Sequence, residues 1–177
     1  SNYPGVMASF SGRYDKYHRQ GNNAQNEVGV FVGNDRVGIK DILDGTSNTA
    51  AVGERRWQYK DSVNGDVDLA YAAGLWGIER PNGARGRAHQ TGNGRARINY
   101  NHATQSRARQ GFSSTHPTGA MFCLADGSVR LVAETIETGP DVDGNQWTIR
   151  DSNRDPFFVS VYERLLARAD GLPLGDF

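Results

Sequence analysis

Residues 120–133 read Ala-Met-Phe-Cys-Leu-Ala-Asp-Gly-Ser-Val-Arg-Leu-Val-Ala, two apolar runs on either side of an Asp-Gly pair. Asp-Gly between such runs favours a two-residue type I′ turn, so the stretch predicts a β-hairpin with Asp126 and Gly127 at its tip. The turn fixes the cross-strand pairs, which put small or apolar side chains on one face: Leu124 with Val129, Phe122 with Leu131, and Ala120 with Ala133. We expect this face to lie in the core and the opposite face to be mixed.

Shorter patterns predict the elements around the hairpin. Residues 28–32 and 50–53 are typical of strands, residues 3–10 of a short strand, and residues 39–43 of one helical turn. Near the C-terminus, Asp155 and Pro156 suit a helix start, and apolar residues at helical spacing continue to Ala169, with Gly171 just past the end. The predicted fold is α+β: a mainly antiparallel sheet with long surface loops and a C-terminal amphipathic helix, in one globular domain spanning residues 1–177.

Charge and composition exclude several classes of protein. Twenty basic and twenty acidic residues cancel, so no net field attracts nucleic acid, and we expect no nucleic-acid partner. Cys123 is the only cysteine, which rules out an internal disulfide. No apolar run approaches the roughly 18 to 20 residues that span a bilayer.

The charges are unevenly distributed along the chain. Residues 80–109 contain seven Arg and no Asp or Glu, whereas residues 134–155 hold six carboxylates against two Arg. The candidate basic surface consists of Arg85, Arg87, Arg95, Arg97, Arg107 and Arg109. The two segments predict head-to-tail contacts between copies of the chain, and the basic one could also meet an acidic polysaccharide.

A dense polar loop precedes the second predicted strand. It consists of Asp44, Gly45, Thr46, Ser47, Asn48 and Thr49. Short side chains of this kind hydrogen-bond nearby backbone groups, which favours a tight structural loop, although its oxygens could also bind Ca²⁺. A second candidate calcium site is Asp141, Asp143 and Asn145, which alternate like the start of a calcium loop but lack the usual bidentate Glu. Ca²⁺ is therefore a candidate cofactor, and no cofactor is certain.

His116 is interpreted as a structural residue. The four His residues show no metal-ligand spacing, and the predicted hairpin register places His116 opposite Glu137. Ser47, His116 and Asp44 could form a hydrolase set on paper, but a Gly-x-Ser-x-Gly elbow and an oxyanion hole are missing. We therefore predict that the protein is not an enzyme.

The motifs follow one another in a particular order. The loop at residues 44–49 is followed by Val52-Gly53-Glu54, then by Phe-Ser-Ser-Thr-His at residues 112–116, nine residues, and Asp126-Gly127. In this order they resemble a large family of domains of unknown function, abundant in planctomycete-type bacteria. Its members have a prepilin-type N-terminal helix and a C-terminal His-x9-Asp-Gly motif. The resemblance runs from about residue 28 to the end of the chain.

The resemblance implies a pseudopilin-like protein, similar to the type II secretion protein G. It implies a non-enzymatic structural or filament subunit at the cell envelope, on the periplasmic or extracellular surface, with copies of itself or other envelope proteins as partners. Ser1 is then expected to lie within a longer protein, in which an N-terminal pilin-like helix, absent from this sequence, makes the only membrane contact. The alternative is a surface module for carbohydrate binding or calcium-dependent adhesion.

Overall fold

A five-stranded sheet is the largest element of the computed structural model, which describes residues 3–8, 29–32, 36–61, 65–68, 91–94, 96–100, 111–138, 160–175 and 177. The described residues form the strands β1 (Gly5–Ala8), β2 (Ala50–Gly53), β3 (Gln58–Asp61), β4 (Gly65–Asp68), β5 (Thr91–Asn93), β6 (Gly119–Leu124) and β7 (Val129–Ala133). The large sheet has the order β5-β1-β2-β6-β7, and β3 pairs with β4 in a separate two-stranded sheet.

The large sheet is mixed. β1–β2, β2–β6 and β6–β7 are antiparallel, whereas β1 and β5 run parallel. β1 lies inside the predicted strand at residues 3–10, β2 coincides with the predicted residues 50–53, and a 3-10 turn at Ile39–Asp41 occupies the predicted helical turn. The described part of the chain is therefore mostly β.

The strand predicted at residues 28–32 is wrong for the four of these residues that are described. Residues 29–32 contain a bend, and the amide of Phe31 donates to the carbonyl of Val6 at 2.9 Å. β1 already pairs with β2 on one side and β5 on the other, so this segment reaches it without forming a ladder. A segment rich in β-branched residues forms a strand only where a neighbouring strand has a free edge to pair with.

The hairpin is present, but its predicted register is wrong by one residue. Met121 pairs with Leu131 and Phe122 with Arg130. The loop has three residues instead of two: the Leu124 amide donates to the Ser128 carbonyl at 2.8 Å, and the Gly127 amide to the Leu124 carbonyl at 3.0 Å. A tight turn followed by a glycine with φ of 87° is the three-residue hairpin with a G1 bulge.

The changed register exchanges the two faces of β7. On β6, the predicted core residues Ala120, Phe122 and Leu124 are buried. On β7, Val132 is buried, whereas Val129 and Leu131, which were predicted to lie in the core, are 59% and 49% exposed. A shift of one residue has this effect because successive side chains of a strand point to opposite faces.

Gly127→Ala should lower the free energy of unfolding by about 1–2 kcal/mol, the cost of placing an L-residue in the left-handed region. A Cβ at Gly127 would meet no heavy atom within 4 Å, so the whole effect comes from the backbone. The control is Gly38→Ala, at φ of −96° with its nearest neighbour 3.5 Å away, which should be neutral or slightly stabilising. Equal urea midpoints for the two variants would contradict the observed turn.

The core joins the buried face of β6 to loop and C-terminal side chains. It comprises Val6, Ala50, Ile98, Phe112, Ala120, Phe122, Leu124, Val132, Tyr162, Leu165, Leu166 and Leu174. The rings of Phe112 and Phe122 lie with centroids 4.9 Å apart and planes at 57°, a favourable tilted arrangement. Gly53 in β2 makes room for this pair, because a Cβ there would collide with both rings.

The described residues contain one α-helix, α1 (Val161–Leu165), and it is much shorter than the predicted C-terminal helix. Ser160 caps it: its hydroxyl accepts from the Glu163 amide at 3.3 Å, and the Glu163 carboxylate accepts from the Ser160 amide at 3.2 Å. The predicted start at residues 155 and 156 lies outside the described residues. With so little helix, the predicted α+β class is not supported. None of the described helices is long and apolar enough to cross a membrane.

Candidate functional site

The polar loop at residues 44–49 is bonded within itself. The Asn48 amide donates to the Gly45 carbonyl at 3.0 Å, and the Thr49 hydroxyl donates to the same carbonyl at 3.1 Å. The Asn48 side-chain amide donates to the carbonyl of Asp44 at 3.1 Å. Short polar side chains that satisfy backbone groups over three or four residues make such a loop compact.

The same loop holds the tip of the β6–β7 hairpin. The Asp126 amide donates to the Thr46 carbonyl at 3.1 Å, and the Ala125 amide donates to the Thr49 carbonyl at 2.8 Å. The Asp126 carboxylate faces its own turn, where one oxygen accepts from the Ser128 hydroxyl at 2.7 Å and from the Ser128 amide at 2.9 Å. These bonds to Ser128 lower the pKa of Asp126 below its ordinary value.

Asp44 binds the C-terminal segment. Its two carboxylate oxygens accept from the amides of Asp170 at 2.7 Å and Gly171 at 2.9 Å. In the opposite direction, the amides of Leu43 and Asp44 donate to the carbonyl of Arg168 at 2.7 Å and 3.3 Å. We call the contact among residues 43–49, 125–127 and 168–171 the motif junction.

Asp170 is the second carboxylate of the motif junction. One of its oxygens accepts from the Leu172 amide at 2.7 Å, and the other is buried without a hydrogen-bond partner in the described structure. Burial raises the pKa of Asp170, and the nearby charge of Asp44 acts in the same direction. Two carboxylates do not make a metal centre, and no group of three or more His, Cys, Asp or Glu side chains is placed to hold a metal within the described ranges.

The described structure pairs His116 with Glu54 and not with the predicted Glu137. Its Nε2 is 3.8 Å from Oε1 of Glu54, and its amide donates to the Ser114 hydroxyl at 3.0 Å. The predicted contact with Glu137 is wrong because it depended on the two-residue turn. The Glu137 carbonyl instead accepts from the amide of Tyr162, in the first turn of α1, at 3.1 Å.

Glu54 connects two neighbouring segments. Its carboxylate accepts from the amide of Met121 in β6 at 3.2 Å, and its carbonyl accepts from the amide of Ser113 at 2.9 Å. The His116 side chain, 57% exposed, is at the outer end of this arrangement. An ion pair in such an exposed position adds little to the free energy of unfolding. We therefore expect the hydrogen bonds of Glu54 to provide most of the stabilisation at this place.

His116→Ala should therefore change the free energy of unfolding by less than about 0.5 kcal/mol. Glu54→Ala should cost about 1–2 kcal/mol, because the Met121 amide would lose its acceptor. Denaturant unfolding of both variants checks this difference. A loss for His116→Ala as large as that for Glu54→Ala would show that the imidazole holds the segments together.

Arg55 has a structural role that the sequence patterns did not predict. It follows β2 and is only 2% exposed. Its Nε donates to the Gly111 carbonyl at 2.7 Å, and one terminal nitrogen donates to the Thr91 carbonyl at 3.1 Å. Burial lowers the pKa of Arg55 to about 9, which still leaves the guanidinium protonated at neutral pH. A charged residue after a strand ordinarily indicates a surface position, so the sequence carried no signal for it.

The remaining predicted site residues are only partly placed. The candidate calcium residues Asp141, Asp143 and Asn145 lie outside the described residues. The same holds for Arg85, Arg87, Arg95, Arg107 and Arg109, whereas Arg97 is described and exposed. Ser47 is exposed on the motif junction, while Asp44 of the hypothetical hydrolase set is bonded to the main chain of the C-terminal segment.

The sequence matches a known protein family. A protein-family model described as "Protein of unknown function (DUF1559)" matches residues 4–139. This range contains the loop at residues 44–49, His116 and the hairpin turn, but not α1 or residues 168–171. No curated protein and no solved structure matches the chain.

Proposed function

This chain belongs to the DUF1559 family, and on that premise we propose that it is a non-enzymatic, pseudopilin-like structural or filament subunit of the cell envelope. Residues 1–177 would form the head of the subunit on the periplasmic or extracellular surface. A prepilin-type helix preceding them would provide the membrane anchor and most of the assembly energy. Neighbouring subunits or other envelope proteins would be the partners.

The observation that supports a structural role is how the motif residues use their polar groups. The Asp44 carboxylate binds two backbone amides of the C-terminal segment, and the Asp126 carboxylate binds the amide and hydroxyl of Ser128. Catalytic carboxylates, in contrast, orient a base or hold a proton near a substrate. Both groups are instead engaged in holding the chain to itself.

A rigid head suits a subunit that meets its neighbours repeatedly. The motif junction ties the hairpin and the C-terminal segment to one loop, so its residues limit relative motion of three distant parts of the chain. Arg97, Glu134 and Glu137 are exposed and can contribute to contacts between oppositely charged surfaces of adjacent subunits.

The proposal is tested on the native protein in the cells that produce it. Cell fractionation, with intact-mass and N-terminal sequence analysis of the purified protein, should find it in the envelope with a hydrophobic segment ahead of Ser1. Immunogold labelling of intact cells should place the head on surface structures or at the envelope. A cytosolic protein whose catalytic turnover is lost in Ser47→Ala or His116→Ala would overturn the proposal. A monomeric envelope protein that binds polysaccharide or is stabilised by Ca²⁺ would favour the adhesion alternative.

A further inference from the structure

β7 forms one edge of the large sheet within the described residues, because its only neighbour there is β6. The Ser128 carbonyl accepts from the amide of Leu124 in β6, and the Glu134 amide donates to the carbonyl of Thr118, just before β6. In an antiparallel ladder every second residue of a strand bonds to the same neighbouring strand. The backbone groups of Arg130 and Val132 therefore also point toward β6. The backbone groups of Val129, Leu131 and Ala133 therefore point away from the sheet, where the Ala133 carbonyl already accepts from the Ile136 amide at 3.0 Å.

Among the described residues, this edge has only part of the usual protection against pairing. Its one charged residue, Arg130, lies opposite Phe122 and therefore on the inward face. Natural edge strands commonly carry Pro, inward-pointing charges or a covering segment. β7 has no Pro, and its two large side chains on the outer face, Val129 and Leu131, are 59% and 49% exposed. An apolar, unpaired strand with a row of outward backbone groups favours the addition of another strand.

We propose that β7 pairs antiparallel with β7 of a second copy of this chain, about a twofold axis at Val132. In this register Leu131 lies opposite Ala133 of the second copy. The Ala133 amide can donate to the Leu131 carbonyl, and the Leu131 amide can donate to the second lone pair of the Ala133 carbonyl, whose first accepts from Ile136. Arg130 then lies opposite Glu134 of the second copy, and the twofold axis repeats the pair. The alternative register centred on Leu131 would place Arg130 opposite Val132, so charge complementarity selects the first.

Both charged residues are exposed. Arg130 lies over the ring of Phe177, with its guanidinium carbon 5.6 Å from the centroid, and Glu134 accepts from the side-chain amide of Asn99 at 2.8 Å. A carboxylate accepts several hydrogen bonds, so Glu134 can keep Asn99 and also take an Arg. The two sheets would join into one of ten strands.

The contact is expected to be weak, and its twofold symmetry limits it to a dimer. A five-residue strand buries far less than the roughly 1,200–2,000 Å² of a stable interface, so dissociation in the high-micromolar range is expected for the 177-residue chain. A twofold contact uses the same surface on both copies and ends at a dimer, unlike head-to-tail pairing. The inference goes beyond the proposed envelope role, because the edge has this geometry whatever the protein does.

Sedimentation of the 177-residue chain from about 10 μM to 1 mM tests the pairing, with Arg130→Glu, Glu134→Arg and the double variant compared with wild type. Each single variant puts like charges opposite each other twice and should weaken dimerisation about tenfold. The double variant restores both pairs with reversed polarity and should regain most of the affinity. Thermal unfolding of each variant confirms that its head is folded.

Amide hydrogen exchange on the wild-type chain provides a second measurement that needs no variant. The amides of Leu131 and Ala133 should exchange quickly at low concentration and become protected as the dimer forms. A chain that stays monomeric at about 1 mM, or a dimer that the single variants leave unchanged, overturns the proposal. Slow exchange of Leu131 already in the dilute monomer also overturns it, because another part of the same chain would then cover the edge.

Discussion

Phe122→Ala should lower the free energy of unfolding by about 3–5 kcal/mol, the range typical of a large aromatic side chain removed from a core. Phe122 is fully buried in β6 and packs against the ring of Phe112. Alanine would leave a cavity beside Phe112 and remove an aromatic contact worth about 0.5–1.5 kcal/mol beyond its buried area. Urea unfolding followed by tryptophan fluorescence measures the loss.

Two neighbouring residues of β7 provide the matched controls for the hairpin register. Val132 is fully buried and Leu131 is half exposed on the opposite face. Val132→Ala should cost about 2 kcal/mol, and Leu131→Ala less than about 1 kcal/mol, although leucine loses more carbon atoms. A larger loss at Leu131 than at Val132 would contradict the observed register and restore the two-residue turn.

Arg55→Met should lower the free energy of unfolding by about 3 kcal/mol. The carbonyls of Gly111 and Thr91 would each lose a charged donor, and a buried acceptor without a partner costs roughly 1–3 kcal/mol. Removing the guanidinium also relieves its desolvation, which opposes the loss. We expect the two orphaned carbonyls to outweigh that relief, because methionine fills the volume but offers no donor.

Arg36→Met is the control for the loss of a positive charge. Arg36 is exposed, and its replacement should change stability by less than about 0.5 kcal/mol. Equilibrium denaturation of both variants at the same ionic strength separates the buried site from the general charge effect. A stability of Arg55→Met equal to that of wild type would mean that desolvation cancels both hydrogen bonds.

The sequence predicts the elements of the sheet better than their arrangement. The apolar run of β6 and the Asp126-Gly127 pair correctly indicate a hairpin and the buried face of β6. Register was not decidable from the pattern, because β7 carries apolar side chains on both faces, and Gly127 fits both a type I′ turn and a G1 bulge. The choice depends on which face of β7 the core covers, a tertiary effect.

From the sequence, only the local hydrogen bonding of the candidate site could be predicted. The loop at residues 44–49 has the composition of a tight hydrogen-bonded turn, and it forms one. The partners of Asp44 lie 126 and 127 residues away in sequence, and those of Arg55 lie 56 and 36 residues away. No local periodicity reports contacts at such separations, so the motif junction and the buried Arg55 become visible only in the folded chain.

The most direct test of a structural motif is the exchange of the Asp170 and Gly171 amide hydrogens in Asp44→Ala. Both amides donate to the Asp44 carboxylate, so they should exchange at least about tenfold faster in the variant. The free energy of unfolding should fall by about 2 kcal/mol, as for the loss of hydrogen bonds to a charged group. Ser47→Ala, in the same loop and exposed, should change neither quantity. Unchanged exchange and stability in Asp44→Ala, together with loss of a measurable activity, would contradict a structural role for Asp44 and make it a catalytic or binding residue.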